Sequence, residues 1–370
     1  MRTLFSMLAV MIALTAYSQD TTNYFKSARV KESAGDNPGA IADFTQYIQL
    51  HPLSKQAYYH RGVDKYETGD NIGAIKDLDK AIQLDSNFAS PYFGRAVVED
   101  KLGNTAGSMT DYNRSIEINP KDENSWYNRA RLRFRLKDPE GALSDYSQAI
   151  VVNPKMAEAY YNRALVYDLM GKTAEAIADY NLSIKIDSNY ARAYNNRGLL
   201  KEYLGDRGAA LEDFSKAILL EPKVPGPYNN RGSLRSRNGD TTGGLSDLNK
   251  AITLDSADEK VYSNRGIVKE MIKDSKGALA DYDKAIALNP NDTDPIFNRA
   301  ILKRKLKDYN GAVEDCSRVI AINPSDDGAY NNMGKAKFDL GDKKGACEAW
   351  HKAAELGNKY APDEIKKNCN

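Results

Sequence analysis

The chain has 370 residues, of which 28% are charged, and 52 lysines and arginines nearly balance 51 aspartates and glutamates to give a net charge of +1. Such a balance argues against nucleic-acid binding, which needs a concentrated basic surface. The histidines, His51, His60 and His351, have no cysteine or carboxylate at ligand spacing, so the sequence predicts no metal site. It also lacks a Ser/His/Asp set and a phosphate-binding glycine loop, and we expect neither enzyme activity nor a cofactor.

The first residues have the pattern of an export signal. Arg2 precedes an apolar run at residues 4–16 that is short for a bilayer span, and residues 16–18 have the small-x-small pattern of a cleavage site. We predict a signal peptide at residues 1–18 and a mature chain that starts at Gln19. The protein would then lie in the periplasm or cell envelope, or be secreted, with no transmembrane segment after cleavage. An uncleaved anchor is the alternative.

After this segment the sequence repeats every 34 residues. Its most regular marker is an arginine followed by glycine or alanine, at Arg61, Arg95, Arg129, Arg163, Arg197, Arg231, Arg265 and Arg299. With this arginine as position 7, residues 21–360 divide into ten repeats, which begin at Thr21, Lys55, Ala89, Glu123, Ala157, Ala191, Pro225, Glu259, Thr293 and Asp327. A fixed period of this size indicates stacked supersecondary units. Because a separate domain typically needs about 50 residues or more, we expect no fused catalytic domain.

Each repeat predicts two antiparallel helices, here called helix A and helix B. In the repeat at residues 157–190, Tyr160, Ala164 and Tyr167 are spaced i, i+4, i+7, and a second run with the same spacing follows. Each run therefore lies on one helical face. Gly171 between the runs predicts the end of helix A. Glycine or alanine at position 8 and small residues at position 20 predict close contact between the two helices.

The pattern resembles the tetratricopeptide repeat in period and consensus. The family's residues at positions 4, 8, 20, 24, 27 and 32 are matched in one repeat by Trp126, Ala130, Ala142, Tyr146, Ala149 and Pro154. The resemblance covers about nine tenths of the chain and implies an all-α fold, a right-handed superhelix (α-solenoid) of ten helix–turn–helix repeats. It also implies a concave groove lined by the A helices and a role in binding proteins, without selecting a pathway.

The chain departs from the family at positions 7, 11 and 23, where the family usually has Leu, Tyr and Tyr. Here position 7 is Arg in eight repeats, position 11 is Lys or Arg in most, and position 23 is Asp in nine. We expect partly buried Arg–Asp pairs, such as Arg163 with Asp179, that fix how the helices stack. A charged track for a ligand is the alternative. The sequence leaves open whether each Arg meets the Asp of its own repeat or of the preceding one.

Two rows of side chains on helix A are candidate ligand contacts. Position 6 is asparagine in seven successive repeats, at Asn128, Asn162, Asn196, Asn230, Asn264, Asn298 and Asn332. An amide both donates and accepts hydrogen bonds, so such a row suits an extended peptide backbone, and it looks like the asparagine ladder of nucleocytoplasmic O-GlcNAc transferase. Inheritance of a common family residue by duplication is the alternative.

The second row is aromatic and occupies position 5 in the first five repeats. Tyr59, Phe93, Tyr127 and Tyr161 are its candidates for gripping apolar side chains or sugar faces. Packing between neighbouring repeats is the alternative.

Repeat 7 contains residues that weaken helices. Gly243 and Gly244 lie within its helix B, and each glycine costs up to about 1 kcal/mol relative to alanine. We therefore predict a flexible point in this repeat.

The last residues, 361–370, predict a short helix that caps the array. An exported chain permits disulfides, and we expect Cys347 and Cys369 to be joined, with two free thiols as the alternative. Cys316 occupies an aromatic core slot and predicts a buried, unreactive thiol.

Taken together, these patterns predict a non-enzymatic scaffold of the bacterial cell envelope that holds an extended peptide or a partner protein in its groove. The alternative is a carbohydrate- or cell-wall-binding protein that uses the aromatic row.

Overall fold

A computed structural model describes residues 23–369. The predicted signal peptide at residues 1–18, the predicted start of the first repeat at Thr21 and the final residue Asn370 lie outside the described residues. Within residues 23–369 the regular structure is entirely helical, with no strand. In the same part of the chain, no helix combines the length and the apolar character that crossing a bilayer requires.

The chain divides into two compact halves, residues 1–188 and residues 189–370, which are described separately. The described part of the N-terminal half contains α1 (23–33), α2 (Asn37–Leu50), α3 (Lys55–Glu67), α4 (Asn71–Leu84), α5 (Ala89–Lys101), α6 (Thr105–Ile118), α7 (Glu123–Arg135), α8 (Pro139–Val152), α9 (Ala157–Leu169) and α10 (Thr173–Ile186). The C-terminal half contains α11 (Ala191–Tyr203), α12 (Arg207–Leu220), α13 (Pro225–Arg237), α14 (Thr241–Leu254), α15 (Glu259–Met271), α16 (Ser275–Leu288), α17 (Thr293–Lys305), α18 (Tyr309–Ile322), α19 (Asp327–Asp339), α20 (Lys343–Glu355) and α21 (Ala361–Asn368). From α3 to α19 the odd-numbered helices are the A helices, and each begins at the residue where the period places the start of a repeat.

The turn between helix A and helix B is fixed by two neighbouring residues. Gly69 has a φ of +88°, in the left-handed region that glycine adopts without strain. Asp70 then caps the next helix, its carboxylate accepting a hydrogen bond from the Gly73 backbone N–H at 2.8 Å. Lysine takes the left-handed place at three turns, with φ between 62° and 67°, at Lys137, Lys273 and Lys307.

Each core is completed by the repeat that follows. In repeat 4, Ala130, Ala142 and Tyr146 are buried together with Val166, which comes from helix A of repeat 5. Val166 is position 10 of its repeat, and the residue at position 10 closes the preceding core in the same way elsewhere in each half. Because one apolar side chain is shared across each such boundary, neighbouring repeats within a half bury a continuous core.

The arginines at position 7 pair with the aspartates of their own repeats. Arg163 donates from Nε to Oδ2 of Asp179 at 2.7 Å and from Nη2 to Oδ1 at 2.9 Å. The same two-bond pairing joins Arg61 to Asp77, Arg95 to Asp111, Arg129 to Asp145, Arg197 to Asp213, Arg231 to Asp247, Arg265 to Asp281 and Arg299 to Asp315. This answers the question that the sequence left open.

The third guanidinium nitrogen reaches the preceding repeat. Arg163 Nη1 donates to Ser147 Oγ, on α8, at 2.9 Å, and Arg231 Nη1 donates to Ser215 Oγ, on α12, at 3.1 Å. One arginine thereby ties helix B of its own repeat to helix B of the repeat before it. The row of Arg–Asp pairs is called here the Arg–Asp ladder. Because each guanidinium is bonded to protein groups, these contacts favour a role in fixing how the helices stack over a charged track for a ligand.

Repeat 7 has an unusually close contact between its two helices. A Cβ added to Gly244 would lie 2.7 Å from the Gly232 carbonyl oxygen and 1.9 Å from Ser236 Oγ. Close packing between the two helices therefore requires a glycine at position 244, which the sequence did not reveal. The flexible point predicted from its glycines stays a prediction.

The array ends in the helix α21. Cys347 on α20 and Cys369, which follows α21, form a disulfide with an S–S distance of 2.08 Å and a Cα–Cα distance of 5.7 Å. Ala361 of α21 is buried in the same apolar cluster as Trp350, and Ile365 packs against that cluster. Cys316 is free and buried, and burial raises the pKa of its thiol to about 12, which suits an unreactive group.

Candidate functional site

A trough lies across three A helices of the C-terminal half, α11, α13 and α15. Its volume is about 620 Å³, and its walls come chiefly from positions 6, 9, 12 and 13 of repeats 6 to 8. A helical wheel of helix A places positions 2, 6, 9 and 13 on the groove side, and position 12 is a further lining position that it does not identify. Of the predicted contact residues, Asn230 and Asn264 lie in this trough.

The walls of the trough expose large apolar side chains. Tyr203 is 80% exposed and Met271 is 49% exposed, while Leu199 and Ile267 are each 41% exposed. Single exposed apolar residues are ordinary on protein surfaces, but a cluster that lines one concavity is typical of a contact site. On the floor, Ser233 and Ser236 of α13 are small, which keeps the trough open between its walls.

The asparagines of the trough also join neighbouring repeats. Asn230 Nδ2 donates to Asn195 Oδ1 at 2.9 Å, and Asn264 Nδ2 donates to Asn229 Oδ1 at 2.9 Å. Both acceptors occupy position 5 of the preceding repeat. Each amide nitrogen therefore already has a structural partner.

Three position-6 asparagines outside the trough use two kinds of hydrogen-bond partner. In the N-terminal half, Asn162 Nδ2 donates to the Tyr127 hydroxyl, again at position 5 of the preceding repeat, at 2.8 Å. Where that position is phenylalanine, the amide turns back to its own helix: Asn128 donates to the Asn124 carbonyl at 2.9 Å and Asn332 to the Gly328 carbonyl at 3.0 Å. Asn162 also donates to the Glu158 carbonyl at 2.9 Å, so the bond to its own helix is not confined to repeats that follow a phenylalanine.

The two remaining asparagines of the row differ from these. Asn196 accepts at Oδ1 from Asn195 Nδ2 at 3.1 Å, and Asn298 lies partly buried on α17. The seven predicted asparagines therefore differ in their structural partners, and their role as ligand contacts stays a prediction.

The aromatic row packs mainly inward. Ring centroids of Phe93 and Tyr112 are 6.1 Å apart, those of Tyr127 and Tyr146 5.8 Å, and those of Tyr161 and Tyr180 5.7 Å, while Tyr59 lies 5.5 Å from Phe88. In three of these pairs the partner is the position-24 aromatic of the same repeat, and in the fourth it precedes the next A helix. These contacts favour the packing alternative over a platform for sugars.

Charged groups on the groove side are paired across repeats. Arg135 forms an ion pair with Asp100, Arg237 with Glu202, and Lys305 with Glu270. In each pair the cation is at position 13 and the carboxylate is at position 12 of the preceding repeat. Because these pairs neutralise one another, the groove of the C-terminal half offers little net charge to a ligand at Arg237 and Lys305.

Asp64 is an unexpected buried carboxylate. It is 1% exposed, and its Oδ2 has no hydrogen-bond partner among the described residues. Burial raises its pKa to about 7, and the Glu32 carboxylate adds to the effect. Position 10 is apolar in the eight later repeats, at Val98, Leu132, Val166, Leu200, Leu234, Val268, Leu302 and Ala336. Comparing that column of the repeats would have identified Asp64 from the sequence.

The described residues contain no group of three or more His, Cys, Asp or Glu side chains arranged to hold a metal ion.

Comparison with protein-family models finds repeat families in both halves. Models described as tetratricopeptide repeat match residues 25–87, 111–144, 157–190 and 191–224, and a model described as TPR repeat matches residues 131–171. No enzyme family is among these matches. A comparison with curated protein sequences found no match.

Solved structures resemble the chain in fold. A tetratricopeptide repeat protein from Parabacteroides merdae is 22% identical with a TM-score of 0.50, covering 69% of this chain and 98% of its own. The APC/C hetero-tetramer Cut9-Hcn1 is 14% identical with a TM-score of 0.53, covering 95% of this chain and 90% of its own. MamA is 28% identical with a TM-score of 0.42, covering 44% of this chain and 95% of its own. The likeness to the first two is that of an α-solenoid built from helical repeats.

Proposed function

The chain is a tetratricopeptide repeat protein, and from that premise we propose that it is a non-catalytic scaffold that holds an extended segment of a partner protein in the trough of repeats 6 to 8. The repeat fold itself indicates protein partners. The trough is the observation that carries the proposal, because it combines apolar side chains with amide groups in one concavity.

The chemistry of the trough suits a peptide better than a compact charged ligand. Leu199, Ile267 and Met271 offer apolar area to alternate side chains of an extended chain. Asn230 and Asn264 keep an amide oxygen for a backbone N–H, since their hydrogen bonds to the preceding repeat use only the nitrogen. The pairing of Arg237 with Glu202 leaves no strong charge that would demand an ionic partner.

The carbohydrate alternative has less support. A sugar-binding platform needs an aromatic face that is open to the ligand, whereas Tyr127 and Tyr161 each approach the ring of a buried tyrosine within 6 Å.

We place the scaffold in the periplasm or cell envelope. Two features support this location: the apolar segment at residues 4–16 and the Cys347–Cys369 disulfide, since structural disulfides persist in oxidising compartments. The test is the mass of the protein recovered from its native source. A mature chain that starts at Gln19 is expected, and an intact Met1 on the recovered protein would argue against cleavage of a signal peptide.

Site-specific crosslinking tests the proposed function. A photoreactive benzoylphenylalanine replaces Ile267 in the trough, and in a matched variant it replaces Leu219, which is 72% exposed on the B helix α12 of the same half. After irradiation in an envelope extract, adducts are identified by mass spectrometry. We expect one protein to be captured at Ile267 and not at Leu219.

A second substitution distinguishes binding in the trough from non-specific adhesion to the protein. Met271→Asp introduces a charge into the apolar wall and should abolish capture at Ile267 while leaving the far-UV circular dichroism unchanged. Equal capture at Ile267 and Leu219, or capture that survives Met271→Asp, would contradict the proposal.

A further inference from the structure

A small apolar cavity opens between helix α3 of repeat 2 and helix α5 of repeat 3, in the N-terminal half. Its volume is about 150 Å³, and it is lined mainly by Tyr59, Tyr66, Leu78, Phe93, Val97 and Val98. We propose that this cavity binds one aliphatic or aromatic side chain of an extended peptide, and that a lysine or arginine flanks this side chain in the peptide. The inference rests on the proposed function, because it assigns a sequence preference to the peptide.

The cavity exists because of one residue. Position 6 is asparagine in seven repeats and His60 in repeat 2, but it is Gly94 in repeat 3. A Cβ at Gly94 would lie 3.2 Å from Leu78 Cδ2 and 3.8 Å from Tyr59 Cε2. Any longer side chain at this position would therefore project among the lining residues. Gly62 on α3 also lines the cavity and lets Leu78 pack closely against the helix backbone, since a Cβ there would lie 3.0 Å from Leu78 Cγ.

The size and lining select an apolar occupant. An apolar cavity of about 150 Å³ can hold a molecule the size of benzene, which is close to the volume of a leucine or phenylalanine side chain. Burying such a side chain there removes its apolar surface from water, whereas a serine would gain little. Val97 and Tyr66 are only partly buried, so a peptide can enter from the groove side without displacing the core.

Charge at the mouth favours a cation beside the apolar group. Glu67 lines the cavity, is exposed, and forms no ion pair with any residue of the described chain. Burial raises the pKa of the nearby Tyr59 hydroxyl, and the carboxylates of Glu32 and Asp122 raise it further, against the opposing effect of Arg29.

The cations at this mouth are already engaged. Arg29 is paired with Glu32, and the ammonium of Lys101 lies 4.5 Å from the centre of the Tyr66 ring. Glu67 is therefore available to form an ion pair with a lysine of the peptide.

Methyl NMR of the full chain, labelled at leucine and valine, tests the inference. The probes are acetylated, amidated pentapeptides Gly-Lys-X-Lys-Gly with leucine, phenylalanine or serine as X, and Gly-Glu-Leu-Glu-Gly. We expect saturable shifts of the Val97 and Val98 methyl signals with the leucine and phenylalanine peptides. The serine peptide should bind about tenfold more weakly or worse, and the Glu-flanked peptide several-fold more weakly at low ionic strength.

Two glycine-to-asparagine substitutions provide the matched pair. Gly94→Asn places the family's usual residue in the cavity and should abolish binding of the leucine peptide. Gly208→Asn makes the same change on α12, where a Cβ meets no atom closer than 4.0 Å, and should leave binding unchanged. Gly94→Ala, a smaller change, should weaken binding and serves if the asparagine variant does not fold.

The outcomes distinguish this inference from the proposed function. Equal binding of the leucine and serine peptides, equal binding of the Lys- and Glu-flanked peptides, or full binding by a folded Gly94→Asn variant would overturn it. Capture at Ile267 in the trough does not involve Gly94, so its persistence in those cases would leave the proposed function standing.

Discussion

A single guanidinium at position 7 satisfies three hydrogen-bonding demands at once. Asp179 is 3% exposed, and both of its carboxylate oxygens accept from Arg163. A carboxylate this far from water is tolerable only when it is paired and hydrogen-bonded, since desolvation of an unpaired charge costs several kcal/mol. A lysine could not replace the arginine, because it lacks the planar fork that makes two parallel bonds.

Asp179→Ala should therefore destabilise the protein strongly. It leaves the half-buried guanidinium of Arg163 without its counter-charge, and we expect a loss of about 3–5 kcal/mol in the free energy of unfolding. The measurement is urea unfolding followed by circular dichroism. Glu117→Ala, which breaks the exposed pair with Arg114, is the control and should cause no measurable change. A loss for Asp179→Ala no larger than for Glu117→Ala would show that the ladder contributes nothing to stability.

Asp64 is another buried carboxylate, but removing its charge should stabilise the protein. Its pKa is raised to about 7 in the folded protein from an ordinary value of 3.8. Folding therefore favours the protonated form, and the contribution to stability is lost as the pH rises from about 4 to about 7. Asp64→Leu restores the apolar residue of the other repeats and should stabilise the protein at pH 7.5 by about 1–3 kcal/mol.

The pH dependence isolates this carboxylate when Asp64→Asn is the reference. His60 lies one turn away, and burial lowers its pKa, so its protonation opposes folding below about pH 6.5 and affects both proteins. The difference in melting temperature between wild type and Asp64→Asn should be small at pH 4 and should grow in favour of the variant up to pH 7. A difference that does not change across this window would contradict the raised pKa.

At this scale the sequence predicted residue types but not every partner. The Arg–Asp ladder followed from position 7 and position 23, because two buried charges of opposite sign must meet. The partner of each asparagine did not follow, since it depends on whether the preceding repeat offers Asn195, Asn229, the Tyr127 hydroxyl or a phenylalanine ring. That is a contact between helices 35 residues apart in the chain, which helical periodicity does not describe.

At the scale of elements, the period predicts where the A helices begin but not every turn residue. The starts of the A helices coincide with the period whether or not a side chain caps them. Asp122, Asp258 and Asp292 cap their helices, whereas Phe88, Met156, Tyr190 and Val224 at the same position form no side-chain cap. The left-handed lysines, such as Lys137, were not predicted, because the repeated turn geometry overrides the residue's own preference. The two halves were also not predicted, since a strict period gives no sign of a division after residue 188.

Gly244→Ala tests the difference between propensity and packing. Helix propensity alone predicts a gain of up to about 1 kcal/mol. The structure predicts a loss of about 1–3 kcal/mol, because the new Cβ would overlap the Gly232 carbonyl oxygen and Ser236 Oγ. Gly208→Ala, on the neighbouring α12, is the matched control: its Cβ meets no atom closer than 4.0 Å, so it should stabilise. Urea unfolding of both variants measures the two signs, and a stabilised Gly244→Ala would refute the close contact.

At the scale of the whole molecule, stability is a sum of local terms. Within each half a repeat draws its core contacts from itself and its sequence neighbours, as Val166 does for repeat 4. Arrays of this kind open locally, with free energies that depend on the nearest interfaces. A terminal repeat has only one neighbour, so α21 and its disulfide replace the second interface of repeat 10.

Breaking the disulfide should therefore loosen the C-terminal end alone. Reduction, or the double substitution Cys347→Ser and Cys369→Ser, removes a cross-link between residues 22 apart, which constrains the unfolded chain by about 3 kcal/mol. We expect faster hydrogen exchange in α20 and α21 and a red-shifted emission of Trp350, which shares a buried cluster with Ala361 of α21. Exchange in α3 to α6 should not change, since these helices draw their core contacts from neighbouring repeats of the N-terminal half. Faster exchange in α3 to α6 on reduction would mean that the array unfolds as one cooperative body, and the local picture of its stability would then be wrong.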